Sequence, residues 1–352
     1  MMDTKTLEKP QWLGLYPEEM KDRLTAMGEK PFRVKQIFSW LHQGARFQEM
    51  TNLPLPLREK LENEAVDQPV SVRDKRISPL DGTRKFLFAL TDGNCVEGVL
   101  MRYKYGATLC ISTQVGCKMG CRFCASTLDG CLRNLTAGEM LGQVQCANRE
   151  LGSEKVHNIV LMGSGEPMDN YDEVVRFLRL VSHPEGLNIG IRHISVSTCG
   201  LVPQIRRFAL EGLPVTLSLS LHAPNDTIRR QIMPVAHRYT MEETLDACWY
   251  YLEKTGRRII LEYALIDGVN SSPACAEELA EKLKGRQCHV NLIPLNTVKE
   301  RNLFGVTEQQ VKAFLSVLEK RHISATRRRE MGDDIEGACG QLRKKVIREE
   351  KA

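Results

Sequence analysis

Six short β-branched runs, each followed by a stretch of helical periodicity, limit the possible folds of this chain more than any other feature. The runs cover residues 107–112, 157–162, 193–197, 215–221, 258–266 and 290–295, and the main helical patterns cover 136–151, 172–181, 241–254, 273–283 and 307–321. Repeated strand–helix alternation predicts parallel strands joined by right-handed crossovers. Six units predict an α/β fold, a partial (β/α)6 TIM-like barrel rather than a closed eightfold one. Upstream, Pro17 opens an amphipathic run over 18–27, and 32–42 carries apolar residues at helical spacing. The Pro54/Pro56 pair then breaks the chain before a short helix near Leu57. Alternating stretches at 70–77, 84–90 and 96–103, separated by Asp81-Gly82 and Asp92-Gly93, predict an antiparallel meander. The expected organisation is a small helical accessory domain (1–68), an antiparallel strand extension (69–104), the barrel (105–342) and a charged tail (343–352).

The unusual polar residues gather just after the strands. Cys117, Cys121 and Cys124 follow the first, 163–167 the second, Ser197-Thr198 the third, His222 the fourth and Asn296 the sixth. In parallel β/α architectures the C-terminal strand ends form the active-site face. On its own His222 reads as a core histidine, and Asn296 as a turn residue.

The stretch Gly116-Cys117-Lys118-Met119-Gly120-Cys121-Arg122-Phe123-Cys124 is the sharpest chemical signal among twelve cysteines. Residues 1–9 lack an apolar signal core and no run approaches a membrane span, so a cytoplasmic enzyme is expected and disulfides are not. A C-x3-C-x2-C loop can wrap three thiolates around the corners of an iron–sulfur cube, with Gly116 and Gly120 letting the loop curl closely. Three ligands leave a fourth iron open, which marks a catalytic centre. The alternatives are a zinc site completed by Cys131, or three buried cysteines. Zinc ligands usually come as separated C-x2-C pairs, with no second pair here, and buried cysteines do not explain the glycines or the aromatic Phe123.

This spacing, with a strand immediately upstream, resembles the radical S-adenosylmethionine superfamily. Three further stretches narrow the likeness: 107–117 (Ala-Thr-Leu-Cys-Ile-Ser-Thr-Gln-Val-Gly-Cys), 162–167 (Met-Gly-Ser-Gly-Glu-Pro) and 332–342 around Cys339. Together they resemble the RlmN/Cfr family of RNA adenine methyltransferases over roughly residues 10–342. The resemblance implies one [4Fe–4S] cluster on Cys117, Cys121 and Cys124, with two S-adenosylmethionine molecules consumed per turnover. It implies that Cys339 accepts a methyl group, becomes a methylene radical and adds to adenine, and that Cys110 resolves the covalent enzyme–RNA adduct through a transient disulfide. Glu97 matches the family's proton acceptor, a role Cys110 could share, although alone it reads as a solvated strand residue. The cofactor pocket carries over as Gly165, Glu166, Ser197, Ser220, Leu221, His222 and Asn296. Ser164 and Cys199 depart from the commoner methionine and serine at positions with no assigned chemistry.

Adenine C2 and C8 are electron-poor carbons, so methylating them calls for radical and covalent steps rather than direct displacement. The run 165–171, with Pro167, resembles the branch that methylates C2 of adenine 2503 in 23S rRNA and of adenine 37 in tRNA. The other branch methylates C8 of the same rRNA adenine. The resemblance further implies a monomer supplied with electrons by a donor such as flavodoxin and its reductase, with no membrane partner. A non-catalytic iron–sulfur electron carrier is the reading from another class, and it has no use for Cys339 or the strand-end residues. Net charge is +5, which permits an RNA partner without demanding one. Basic clusters at 206–207, 229–230, 257–258, 327–329 and 343–345 are candidate RNA contacts. So are Lys30, Arg33 and Lys35, whose neighbours Phe32, Phe38 and Trp40 lie at helical, core-like spacing.

Overall fold

The structure, a computed structural model, describes residues 9–295, 303–329 and 331–335. Asn296, Cys339 and the tail 343–352 lie outside the described residues. Three short helices come first: α1 (Pro17–Ala26), α2 (Arg33–His42) and α3 (Leu55–Glu64). At the start of α1 the Tyr16 N–H donates to Glu19 Oε2 at 2.8 Å, satisfying a helix-end amide. Arg176, from the α/β part of the chain, grips the same carboxylate with both guanidinium arms at 2.6 Å. Phe38 is buried in the core, Trp40 packs at its margin and Phe32 is exposed.

The predicted meander forms as β1 (Val70–Ile77), β2 (Arg84–Leu90) and β3 (Cys95–Tyr103), and β3 pairs antiparallel with β4 (Gly106–Cys110). A small ribbon, β5 (Gln114–Gly116) with β6 (Cys131–Asn134), frames the cysteine loop. The parallel series then runs from β4 through β7 (Val156–Leu161), β8 (Ile194–Thr198), β9 (Thr216–Ser220), β10 (Ile259–Leu265) and β11 (Cys288–Pro294) to β12 (Ala325–Arg327). All ten strands outside the ribbon form one open sheet in the order β1-β2-β3-β4-β7-β8-β9-β10-β11-β12. The meander is therefore hydrogen-bonded into the barrel sheet. The six expected parallel strands are present, and β12 is a short seventh.

Helices α4 (Ala137–Leu151), α5 (Tyr171–Val181), α6 (Val202–Phe208), α7 (Asp226–Ile232), α8 (Met241–Thr255), α9 (Pro273–Leu283) and α10 (Glu308–Lys320) connect or follow the parallel strands. Thr136, Thr240 and Thr307 cap α4, α8 and α10 in reciprocal boxes with Glu139, Glu243 and Gln310, which sets where each crossover helix begins. One continuous apolar cluster runs from Trp12 and Phe38 through Leu141, Leu217 and Leu261 to Phe314. The N-terminal helices thus share the barrel's core. No described helix is long and apolar enough to cross a membrane.

Candidate active site

The ribbon β5–β6 fixes the cysteine loop at its root. Cys117 N–H donates to Gly130 O at 2.8 Å. Gly116 has φ +83°, and a Cβ there would stand 2.0 Å from Gly130 O, so a side chain is excluded. Further along, Cys124 N–H donates to Cys121 O at 3.1 Å, and Thr127 Oγ1 donates to the carbonyls of both Cys121 and Cys124. Arg133 on β6 anchors the ribbon, reaching Glu139 of α4 through two 2.8 Å bonds and Asp92 of the β2–β3 turn at 2.6 Å. Burial would raise Asp92, but hydrogen bonds from Arg133 and Asn94 outweigh it and hold that carboxyl at about 2.

Cys117, Cys121 and Cys124 open onto one cavity of about 300 Å³. Burial pushes the Cys117 thiol up to about 12 and raises Cys121 as well. A bound iron would hold them as thiolates. Among the described residues no three His, Cys, Asp or Glu side chains converge on a single metal ion. The donor set fits an iron–sulfur cluster.

Of the expected cofactor residues, Gly165, Glu166, Ser197, Ser220 and His222 line the same cavity. Gly165, at φ +113°, has Thr113 Oγ1 and Gln114 N within 2.6 and 2.7 Å of where a Cβ would be. Glu166 is buried, with its carboxylate accepting N–H bonds from Met168 (3.0 Å) and Cys199 (2.8 Å). Burial raises its pKa against the pull of those donors. Ser197 and Ser220 meet across β8 and β9 with their hydroxyls 3.4 Å apart. His222 has φ 55° and its Nδ1 accepts the Ala264 N–H at 2.9 Å, so the ring proton resides on Nε2. Its ring packs edge-on against Phe123 at 4.6 Å. Burial, then the nearby Arg229, push its pKa down to about 3, so the imidazole is neutral. Leu221 differs from its neighbours. Its side chain packs in the main core, and its carbonyl accepts Arg229 Nε at 3.3 Å.

Glu97 is not on a solvated face. It is 3% exposed, and its Oε2 stands 3.2 Å from Lys85 Nζ, itself fully buried. Glu97 lies two residues from Val99, which pairs with Cys110 across β3–β4, so both candidates share one face of the sheet. Cys110 clusters with Val99, Met101, Val160, Met162 and Met331 rather than lining the main cavity. Met331 begins the segment leading toward Cys339. That segment is tied to the β1–β2 turn by Gly332 N–H to Asp81 Oδ2 (2.9 Å) and Ser78 Oγ to Asp334 Oδ1 (2.7 Å).

Sequence reasoning gave four residues no place in this site. Cys199 is buried in the cavity wall and its backbone secures Glu166. Arg229, expected on a basic surface, is fully buried, with Nη2 donating to Cys199 O at 2.7 Å. Glu262 of β10 and Arg328 just beyond β12 complete the wall opposite the cysteines. Other candidate RNA arginines are engaged within the chain. Arg207 stacks over Tyr171 and pairs with Asp172, Arg257 donates to Thr216, and Arg327 pairs with Glu308.

Comparison with known proteins agrees with this geometry. Residues 111–283 match the Radical SAM superfamily, and residues 11–66 match the ribosomal RNA large subunit methyltransferase N-terminal domain. A protein of Alkaliphilus metalliredigens named "Probable dual-specificity RNA methyltransferase RlmN" is 52% identical over 97% of both chains. One of the same name from Lachnoclostridium phytofermentans is 55% identical over 96% of this chain and 95% of that one. The crystal structure of a radical SAM methyltransferase from Sphaerobacter thermophilus superposes with a TM-score of 0.91 at 43% identity, covering 94% of this chain and 98% of that one. The chain belongs to the RlmN family of radical S-adenosylmethionine RNA methyltransferases.

Proposed function

We propose that this enzyme methylates C2 of adenine 2503 in 23S rRNA and C2 of adenine 37 in tRNAs, in the cytoplasm, as a monomer. The observation that carries the reading is the opening of Cys117, Cys121 and Cys124 onto the cavity that also holds Glu166, Ser197, Ser220 and His222. When bound there, a [4Fe–4S] cluster with S-adenosylmethionine supplies a carbon radical able to take hydrogen from an unactivated methyl group, using electrons from a donor of the flavodoxin kind.

The chain's own residues do the rest. Glu166, locked by two backbone amides, presents a fixed acceptor beside the cluster loop. Neutral His222 presents an Nε2–H donor, while Ile293, Pro294 and Leu295 give an apolar wall suited to an adenine ring. Cys339 takes a methyl group by displacement on one S-adenosylmethionine, leaving S-adenosylhomocysteine. Loss of a hydrogen atom from that methyl group leaves a methylene radical, which adds to adenine C2 and links enzyme to RNA. Glu97, sharing the role with Cys110, accepts the C2 proton, and the adduct radical returns its unpaired electron to the one-electron donor system, leaving a closed-shell adduct. The Cys110 thiolate then attacks Cys339 Sγ, forming the disulfide as the sulfur–carbon bond breaks with its electron pair on the product carbon, which takes up a proton to become the methyl group. To reach the cavity the target adenosine must leave its stack.

A Cys110→Ala variant, incubated anaerobically with substrate RNA, is expected to accumulate protein covalently joined to RNA on a denaturing gel. Free RNA alone from that variant removes Cys110 from the resolution step.

A further inference from the structure

The parallel register places one polar row across the inner wall of the barrel. Ser220 on β9 pairs with Glu262 on β10, and Glu262 pairs with Asn291 on β11. Ser197 on β8 extends the row through its 3.4 Å approach to Ser220. Ser197, Ser220 and Glu262 line the same cavity as the cluster cysteines.

Glu262 is the anomaly in this row. It is a carboxylate, 5% exposed, in a cavity whose lining includes Ala264, Ile293 and Leu295. A buried carboxylate is costly unless its lone pairs are used. Among the described residues its side chain receives one hydrogen bond, from Asn291 Nδ2 to Oε2 at 2.8 Å. Arg328 lines the same wall and its field favours the charged form, against the upward push of burial. The remaining acceptor capacity faces a cavity, so the group is built for a ligand that donates.

We propose that Glu262 is a positioning residue that accepts hydrogen bonds from the ribose hydroxyls of S-adenosylmethionine, with Asn291 and Arg328 fixing its carboxylate. The assignment rests on the cofactor reading given above. A carboxylate only accepts, and a vicinal diol offers two donors at a spacing it can take together. The target nucleotide also carries a ribose hydroxyl. Depth separates the two sources: Glu262 sits one inward position below Ala264, in the layer of Ser220, whereas an RNA base enters from the strand-end mouth.

The test is calorimetric and needs no turnover. Reconstituted holoenzyme is titrated with S-adenosylhomocysteine and with its 2′-deoxy and 3′-deoxy analogues, using wild type, Glu262→Ala and the isosteric Glu262→Gln. Wild type is expected to bind a deoxy analogue about ten- to a hundredfold more weakly than the parent. Glu262→Ala is expected to bind the parent as weakly as wild type binds that analogue, with little further loss on removing the hydroxyl. Should Glu262→Ala not fold, Glu262→Gln is expected to show the same collapse of discrimination in part, since a neutral amide accepts more weakly. Equal losses for parent and analogues in both variants would mark a structural role and overturn the assignment. Unchanged cofactor affinity, with lost preference for ribose over deoxyribose at the target nucleotide, overturns it in favour of the RNA. Failure of wild-type holoenzyme to bind S-adenosylhomocysteine at all overturns the cofactor reading, and this assignment with it.

Discussion

Lys85 Nζ stands 3.2 Å from Glu97 Oε2, with side-chain exposures of 0% and 4%. The pair bridges β2 and β3 on the face that carries Cys110. A buried charge without its counter-ion is strongly unfavourable, whereas removing both charges together is often nearly neutral. Lys85→Met is therefore expected to destabilise the protein by about 3–5 kcal/mol in equilibrium unfolding. Lys85→Met/Glu97→Leu is expected to recover most of that loss while staying inactive. A single variant as stable as wild type would show that the pair is not what holds Glu97 in the sheet.

Gly165 occupies a left-handed backbone position against the segment that follows β4. Alanine there meets Thr113 Oγ1 at 2.6 Å and Gln114 N at 2.7 Å as well as an unfavourable φ of +113°. Gly165→Ala is expected to cost about 1–3 kcal/mol of stability and to weaken S-adenosylhomocysteine binding by shifting Glu166. Wild-type affinity and melting temperature in this variant would remove the loop from the binding argument.

His42 gives the fold a pH dependence remote from the cluster. It stacks on Phe38, and among the described residues neither ring nitrogen finds a hydrogen-bond partner. Burial, then the neighbouring His183, push its pKa from 6.5 to about 3. Between those values the unfolded chain binds a proton that the folded chain excludes, so stability is full above about pH 6.5 and falls as pH drops toward 3. Chemical denaturation across that range is expected to show a shallower fall for His42→Leu than for wild type. Parallel curves would mean that His42 carries none of the dependence.

The tie between Gly332 and Asp81 predicts a local effect. Asp81→Ala removes the acceptor for the Gly332 N–H, and hydrogen exchange at that amide is expected to quicken about two- to tenfold. Exchange at the β4 and β7 amides is expected to stay unchanged. Uniform acceleration across the sheet would instead indicate global loosening.

The strand–helix rhythm made the fold legible, because the buried parallel strands are short, largely apolar runs with helices between them, several begun by a capping residue such as Thr136, Thr240 or Thr307. β12 escaped because its three residues are small or charged and owe their pairing to β11 alone. The β5–β6 ribbon escaped because it is closed by Arg133 and tertiary partners rather than by an alternating pattern. The spacing of Cys117, Cys121 and Cys124 put them on one loop, and the glycines of 163–165 marked a tight turn, which is how the chain folds there. Glu97 alone suggested exposure, yet folding the hairpin at Asp92-Gly93 brings Lys85 onto its face, so a signal was there. Glu262 gave no local sign, since an acidic residue within an apolar strand acquires meaning only when Ser220 and Asn291 flank it.

Nucleoside mass spectrometry of RNA treated with the anaerobically reconstituted enzyme, reductant and S-adenosylmethionine tests the central claim most directly. The account predicts 2-methyladenosine in both 23S rRNA and tRNA. 8-Methyladenosine would contradict the assigned carbon, and RNA with no methylated adenosine would contradict the proposed activity itself.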